Sequence, residues 1–490
     1  MSIDSQNMGR RSWLGLSSFS LAGVAAPWLL NKDGLLAADA NAALEKPELE
    51  SVLHDLLPKS PPRESQAKAM ISMWMYGGPS QIDLFDPKPE LVKRHGETFK
   101  GKLKWDNAAQ ASREIMGPLW KFNTYGQCGM ELSEKLPFLG SIADEITLIR
   151  SMQTGSNNHV PSTRSMTTGK PVNGRPVLGS WLIQALGSAS QDLPAFVALT
   201  DPRGLPQQGN ENWSQGKLPS IYQGTMVRSS EPRIFNLDSP KHLRGETRTA
   251  QLELLHKFNR EHADRHPGEN ELEARLASYG LAARMQGAAR EAFDISGESK
   301  ETRRMYGIDE DKTRNYGTRC LIARRLVERG VRFVQIFAAG QNWDHHGSIK
   351  TSLPDRCAEV DKPAAALVRD LQQRGLLDST IVHWGGEMGR LPVIQFRSGT
   401  SNRDAVGRDH NTYGFTQWVA GGGFRKGYIH GETDEFSHYA VKDVVHHYDW
   451  LATLLHQFGL DHRALTFRSG PGEIRLVEEE HARVVRELLA

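Results

Sequence analysis

Three short apolar runs, each followed within two residues by glycine, constrain this 490-residue chain more than anything else in it. They are Ala69–Tyr76 (AMISMWMY), Val331–Ala338 (VRFVQIFA) and Thr380–Trp384 (TIVHW). Apolar runs without strict alternation fit strands covered on both faces, the situation of a parallel sheet. Ile146–Arg150, Ala195–Leu199 and Thr416–Ala420 read as further strands. Helical patterns fall between them at Leu132–Ile142, Val177–Gly187, Thr318–Glu328, Ala358–Gln373 (capped by Gly375) and Val444–Phe458. This alternation predicts an α/β fold with a doubly wound, mostly parallel central sheet flanked by helices. The length allows one large domain or two smaller ones. We assign residues 67–476 to one α/β domain, with a charged helical insertion at 247–298 and a C-terminal helix or tail at 477–490. Asp201–Asn236, rich in Gly, Pro, Asn and Ser, reads as a long surface excursion.

The amino terminus carries an address. Arg10-Arg11 precede a mildly apolar stretch to Leu30, followed by the small residues Ala37-Ala38-Asp39-Ala40. Paired arginines, a weak apolar segment and an Ala-x-Ala site fit a twin-arginine export signal over 1–40, with a linker at 41–66. The serines and glycines make the alternative, a membrane anchor, a poor span. The expected location is therefore periplasmic or extracellular, with no stable membrane span after processing. Sixty basic against fifty-eight acidic side chains leave no electrostatic case for nucleic acid. Three scattered cysteines show neither metal-type spacing nor a disulfide framework.

The chemistry-bearing residues gather at predicted strand ends, where open α/β sheets bind ligands. Glu387 and Arg390 follow the Thr380–Trp384 run, with Asp409-His410 beyond a polar loop. Asp344-His345-His346 follow the Val331–Ala338 run, and Asp83 follows Gly77-Gly78 after the first. Carboxylates mixed with imidazoles suit a divalent metal: zinc or manganese, or magnesium or calcium if oxygens dominate. The candidate ligands are Asp83, Asp344, His345, His346, Glu387, Asp409 and His410. Adjacent side chains in extended backbone point to opposite faces, so one of His345 and His346 should face the metal. Taken singly, each has a plainer reading: Glu387 as an ion-pair partner of Arg390, Trp343-Asp344 as a turn, Asp409-His410 as a solvated loop.

Residues 157–170, NNHVPSTRSMTTGK, resemble the sulfatase signature Cys/Ser-x-Pro-Ser-Arg-x-x-x-x-Thr-Gly. Setting His159 at the nucleophile brings Pro161, Ser162, Thr168 and Gly169 into register, with Arg164 one place late. GGPSQIDLFDPKP from Gly77, GRDHN from Gly407 and GETDEF from Gly431 resemble the DUF1501 family. These are exported, sulfatase-like proteins of the alkaline-phosphatase-like superfamily, and the resemblance covers roughly Ala69–Arg475. It implies a metal-dependent hydrolase of sulfate or phosphate esters, small or polysaccharide, with His159, Ser162, Arg164 and Arg390 as catalytic candidates. In that role the arginines would grip non-bridging oxygens. The departure is His159 itself, since a formylglycine nucleophile is made from Cys or Ser. A catalytically degenerate binding or scaffold protein is therefore the competing expectation, and a mutase or nuclease on the same fold a third.

Overall fold

The computed structural model describes residues 55–103, 111–235, 237, 245–266, 270–396, 402–469 and 472–490. The twin-arginine segment and most of the linker lie outside them. By internal contacts the chain divides into Leu53–Ala263 with Asn270–Ala490, and Met1–Val52 with Asp264–Glu269. The sheet and every candidate site residue belong to the former.

The apolar runs do form the centre of one sheet. Its nine strands are β1 (Ala69–Trp74), β2 (Ile146–Gln153), β3 (Phe196–Thr200), β4 (Thr225–Arg228), β5 (Phe333–Phe337), β6 (Thr380–Gly385), β7 (Phe415–Ala420), β8 (Tyr428–His430) and β9 (Val445–His446). The order is β8-β2-β7-β6-β1-β5-β3-β4, with β9 also paired to β2. Every pairing is parallel except those of β7, which runs antiparallel to both β2 and β6. The residues of β1, β5 and β6 are all buried, as their unbroken apolar character requires.

Register decides where the loops emerge. Trp74 lies opposite both Phe337 and Gly385, so β1, β5 and β6 end level with one another. Phe415 at the start of β7 pairs with Met152 near the end of β2. Because β7 is reversed, the segment entering it reaches the same edge that the parallel strands leave. One sheet edge thus collects the exits of β1, β2, β5 and β6 and the entry to β7.

Helices lie between and after these strands: α1 (Pro137–Gly140), α2 (His159–Thr168), α3 (Leu178–Leu186), α4 (Glu246–Asp264), α5 (Asn270–Phe293), α6 (Arg314–Glu328), α7 (Ile349–Gln373) and α8 (His447–Gln457). Among the described residues no helix is long and apolar enough to cross a membrane. Three expectations need correction. Leu132–Ile142 is not one helix: Met130–Ser133 is a strand, and Pro137 opens the single turn of α1, the position where a missing N–H costs nothing. The 201–236 excursion contributes the edge strand β4. The helix expected from Ala358 begins at Ile349 and runs through Pro354. The segment 477–490 is tied to the body: Ala482, Val485 and Leu488 are buried, and the Val485 N–H donates to Thr453 Oγ1 at 2.9 Å.

Asp361 on α7 caps α1 by accepting from the Phe138 and Leu139 N–H groups, both at 2.8 Å. Burial pushes its carboxyl up to about 7 against the pull of those two bonds. The folded chain therefore holds a proton that the unfolded chain, with an ordinary carboxyl near 4, has released. Stability should fall as pH rises from about 4 to about 7. Urea midpoints across that range should show the slope, and Asp361→Asn should flatten it.

Candidate metal centre

The common edge brings four side chains face to face. His159 opens α2 just after β2, Asp344 and His346 lie on the loop after β5, and His410 lies on the segment entering β7. One donor atom from each falls within 4.8 Å of all the others. His159 Nε2 is 3.2 Å from Asp344 Oδ2. His346 Nε2 and His410 Nε2 stand 3.0 and 3.3 Å from Asp344 Oδ1.

Each imidazole is gripped from behind at its other nitrogen. His159 Nδ1 is 2.6 Å from Glu387 Oε1, His346 Nδ1 is 2.6 Å from Gln395 Oε1, and His410 Nδ1 is 2.5 Å from the Asn157 carbonyl oxygen. These partners are acceptors, so each Nδ1 carries a proton, and any of the three rings in its neutral form turns its Nε2 lone pair toward Asp344. Three lone pairs pointing at one carboxylate repel it unless positive charge lies between. A proton meets part of that need: Asp344 and Glu387 raise His159 to about 9 despite its burial. Burial, Arg390 and His159 push the His410 imidazole down, over the opposing pull of Asp344. One divalent cation would serve all three rings at once. His159 Nε2 is buried and 3.2 Å from Asp344 Oδ2, without an aligned hydrogen bond among the described residues. The histidine–aspartate separations, 3.2 Å to Oδ2 for His159 and 3.0 and 3.3 Å to Oδ1 for the other two, bring all four side chains within the reach of one ion. The residues present therefore fit a divalent metal.

Arg390 holds the carboxylate in place. Its guanidinium is 2.8 Å from Asp344 Oδ1 and keeps that carboxyl well below the usual range, overriding the effect of burial. The same group donates to the carbonyl oxygens of Gly77, Gly78, Trp343 and Arg408. It is fully buried, and these contacts fix the position of Asp344. Gly77 makes the close approach possible: at φ +118°, a Cβ there would sit 2.4 Å from the Asp344 nitrogen.

The remaining candidates are placed as follows. Glu387 stands behind His159, its Oε1 also accepting from the Gly77 N–H at 2.9 Å, and so orients the His159 ring. Asp409 is 3.8 Å from His346 Nδ1 and accepts from the His410 backbone N–H. Of the adjacent histidines only His346 faces the cluster. His345 is buried near Trp343 with neither ring nitrogen hydrogen-bonded, and burial lowers it to about 3. Asp83 is not brought to the centre, because both its oxygens bind Arg408 in a fully buried pair at 2.8 and 3.1 Å. Ser162 is buried and donates to the Glu387 carbonyl oxygen at 2.7 Å, which pins α2 to the end of β6. Arg164 reaches away to Glu211 at 2.9 Å. Sequence reasoning missed Gln395 and Asn157: the one sits in a plain apolar stretch, and the other acts through its backbone.

The chain matches the family described as "Protein of unknown function (DUF1501)" over residues 67–489. It belongs to that family. No curated protein matches it. Solved structures that it is similar to include a sulfatase from Pseudoalteromonas sp., at 13% identity and TM-score 0.37, covering 88% of this chain and 72% of that one. Others are a phosphonate monoester hydrolase from Silicibacter pomeroyi (10%, TM-score 0.31, 87% and 76% covered) and an alkaline phosphatase superfamily protein from Vibrio parahaemolyticus (10%, 0.32, 82% and 69%).

Asp83→Ala should destabilise the fold by about 3–5 kcal/mol, because Arg408 is left buried and unpaired. At a temperature where the variant remains folded, metal content should be unchanged. Loss of metal without loss of stability would return Asp83 to the ligand set.

Proposed function

We propose that this protein is an exported, metal-dependent hydrolase of sulfate or phosphate esters. The observation that supports it most is His159: it occupies the nucleophile's place in the sulfatase-like register and turns its Nε2 into a cluster with Asp344, His346 and His410. A divalent cation held there, whether zinc, manganese, magnesium or calcium, would neutralise charge on an ester's oxygens and make a coordinated water more acidic. The protein's own groups set the stage for this. Glu387 keeps the His159 proton on Nδ1, so Nε2 stays available as a donor. Arg390 keeps Asp344 ionised. The positive end of α2 faces the same edge and favours an anionic substrate. The Ser162 hydroxyl is committed to the Glu387 carbonyl, and in this reading water is the attacking group.

The competing reading, a sulfatase-like binding or scaffold protein without turnover, draws on the same fact about Ser162. Turnover separates the two. Metal-replete protein should hydrolyse an aryl sulfate or an aryl phosphate, His159→Ala should lose at least about 100-fold, and Ser162→Ala should stay within a few-fold. Metal-replete protein that turns over neither ester sinks the hydrolase reading and leaves the scaffold. The substrate is an ester of a small molecule or polysaccharide.

Export is proposed from the Arg10-Arg11 segment alone. Arg10-Arg11→Lys-Lys should leave the protein in the cytoplasm, as read by cell fractionation. Unchanged export would point to a different route.

A further inference from the structure

We infer that the centre selects a single nitrogen-preferring transition ion of the zinc class and discriminates against calcium and magnesium. This deepens the reading above, since it concerns the same site and names the class of ion that site takes. Three of the four facing donors are imidazole nitrogens and only Asp344 supplies oxygen. Calcium takes six to eight oxygen ligands and magnesium a near-ideal octahedron of them, whereas imidazole suits zinc, cobalt and their neighbours.

The nearby carboxylates that might have made a calcium cage lie outside the facing group of four donors. Asp83 is locked to Arg408, Asp409 Oδ1 accepts from the His410 backbone, and Glu387 stands behind His159 with its Oε1 serving both Gly77 and His159, its Oε2 being buried without a hydrogen-bond partner among the described residues. The Nδ1 partners add a second argument. Glu387, Gln395 and the Asn157 carbonyl fix all three rings with Nε2 inward, which preorganises nitrogen donors at no benefit to a cation that prefers oxygen. Access argues for few waters of coordination. The side chains of His159 and His410 are 9% and 12% exposed and that of Asp344 18%, leaving the 37%-exposed edge of His346 as the open side. A hydrated ion needing several retained waters has little room on the other sides.

The test uses the full mature chain, stripped with a chelator and then dialysed against zinc, cobalt, manganese, calcium or magnesium. Metal content is measured by mass spectrometry and the cobalt form by visible absorption. One equivalent of zinc or cobalt should bind, survive a hundredfold excess of calcium and magnesium, and give the intense cobalt bands of a low-coordinate site. Gln395→Ala, which removes the grip on His346 Nδ1, should weaken zinc binding by about 10–100-fold with the fold intact. His346→Asp, at the most exposed ligand, should shift preference toward magnesium, calcium or manganese. Displacement of zinc by comparable calcium, or full zinc retention in both variants, overturns the inference. Calcium binding with ester turnover would overturn it and keep the hydrolase; zinc binding without turnover would do the reverse.

Discussion

The Arg390 guanidinium is the part on which the rest of the centre depends. A buried cation is costly unless every donor finds an acceptor, and here the acceptors come from separate parts of the chain: the Gly77-Gly78 turn, Trp343, Asp344 and Arg408. By satisfying itself, Arg390 fastens the exits of β1 and β5 and the approach to β7 to the segment that follows β6. It also fixes the charge state of the one carboxylate that all three imidazoles face. Structural integrity and ligand geometry are therefore the same set of bonds, seen from two sides. Replacing such a group by lysine would keep the charge and lose the fork that spans several carbonyls.

A second layer follows from that. Each histidine has two nitrogens, and the site assigns them different jobs through Glu387, Gln395 and Asn157. None of those three belongs to the facing group; they set which nitrogen of each histidine turns toward Asp344. The buried Asp83–Arg408 pair lies one step further out, where the Arg408 guanidinium also donates to the carbonyls of Met116 and Gly117 and so holds the fold around the centre together without setting which nitrogens face it.

Much of this was legible in the sequence, and the boundary is instructive. The apolar runs at Ala69, Val331 and Thr380 located the central strands because full burial leaves no other pattern. Glycine after each run, followed by acids and histidines, pointed to the right edge. The direction of β7 was not legible: Phe415–Ala420 looks like any buried strand, yet its reversal is what brings His410 to Asp344. Composition could not separate Asp83 from Asp344 or His345 from His346 either, because the distinction is which arginine or which face each meets. Arg390 and Ser162 read as catalytic for the same reason. A residue type states what chemistry is available, while burial and partners decide whether it is spent.

The placement of β7 has a consequence for how the molecule comes into being. This strand inserts between β2 and β6, and its entry supplies the last of the four donors, so His159 waits until residue 410 has been synthesised and threaded into the middle of the sheet. No shorter nascent chain can present the complete cage. Capture of a cation there would report that the exits of β2 and β5 have met the segment entering β7, whereas β8, β9 and α8 lie further along the chain.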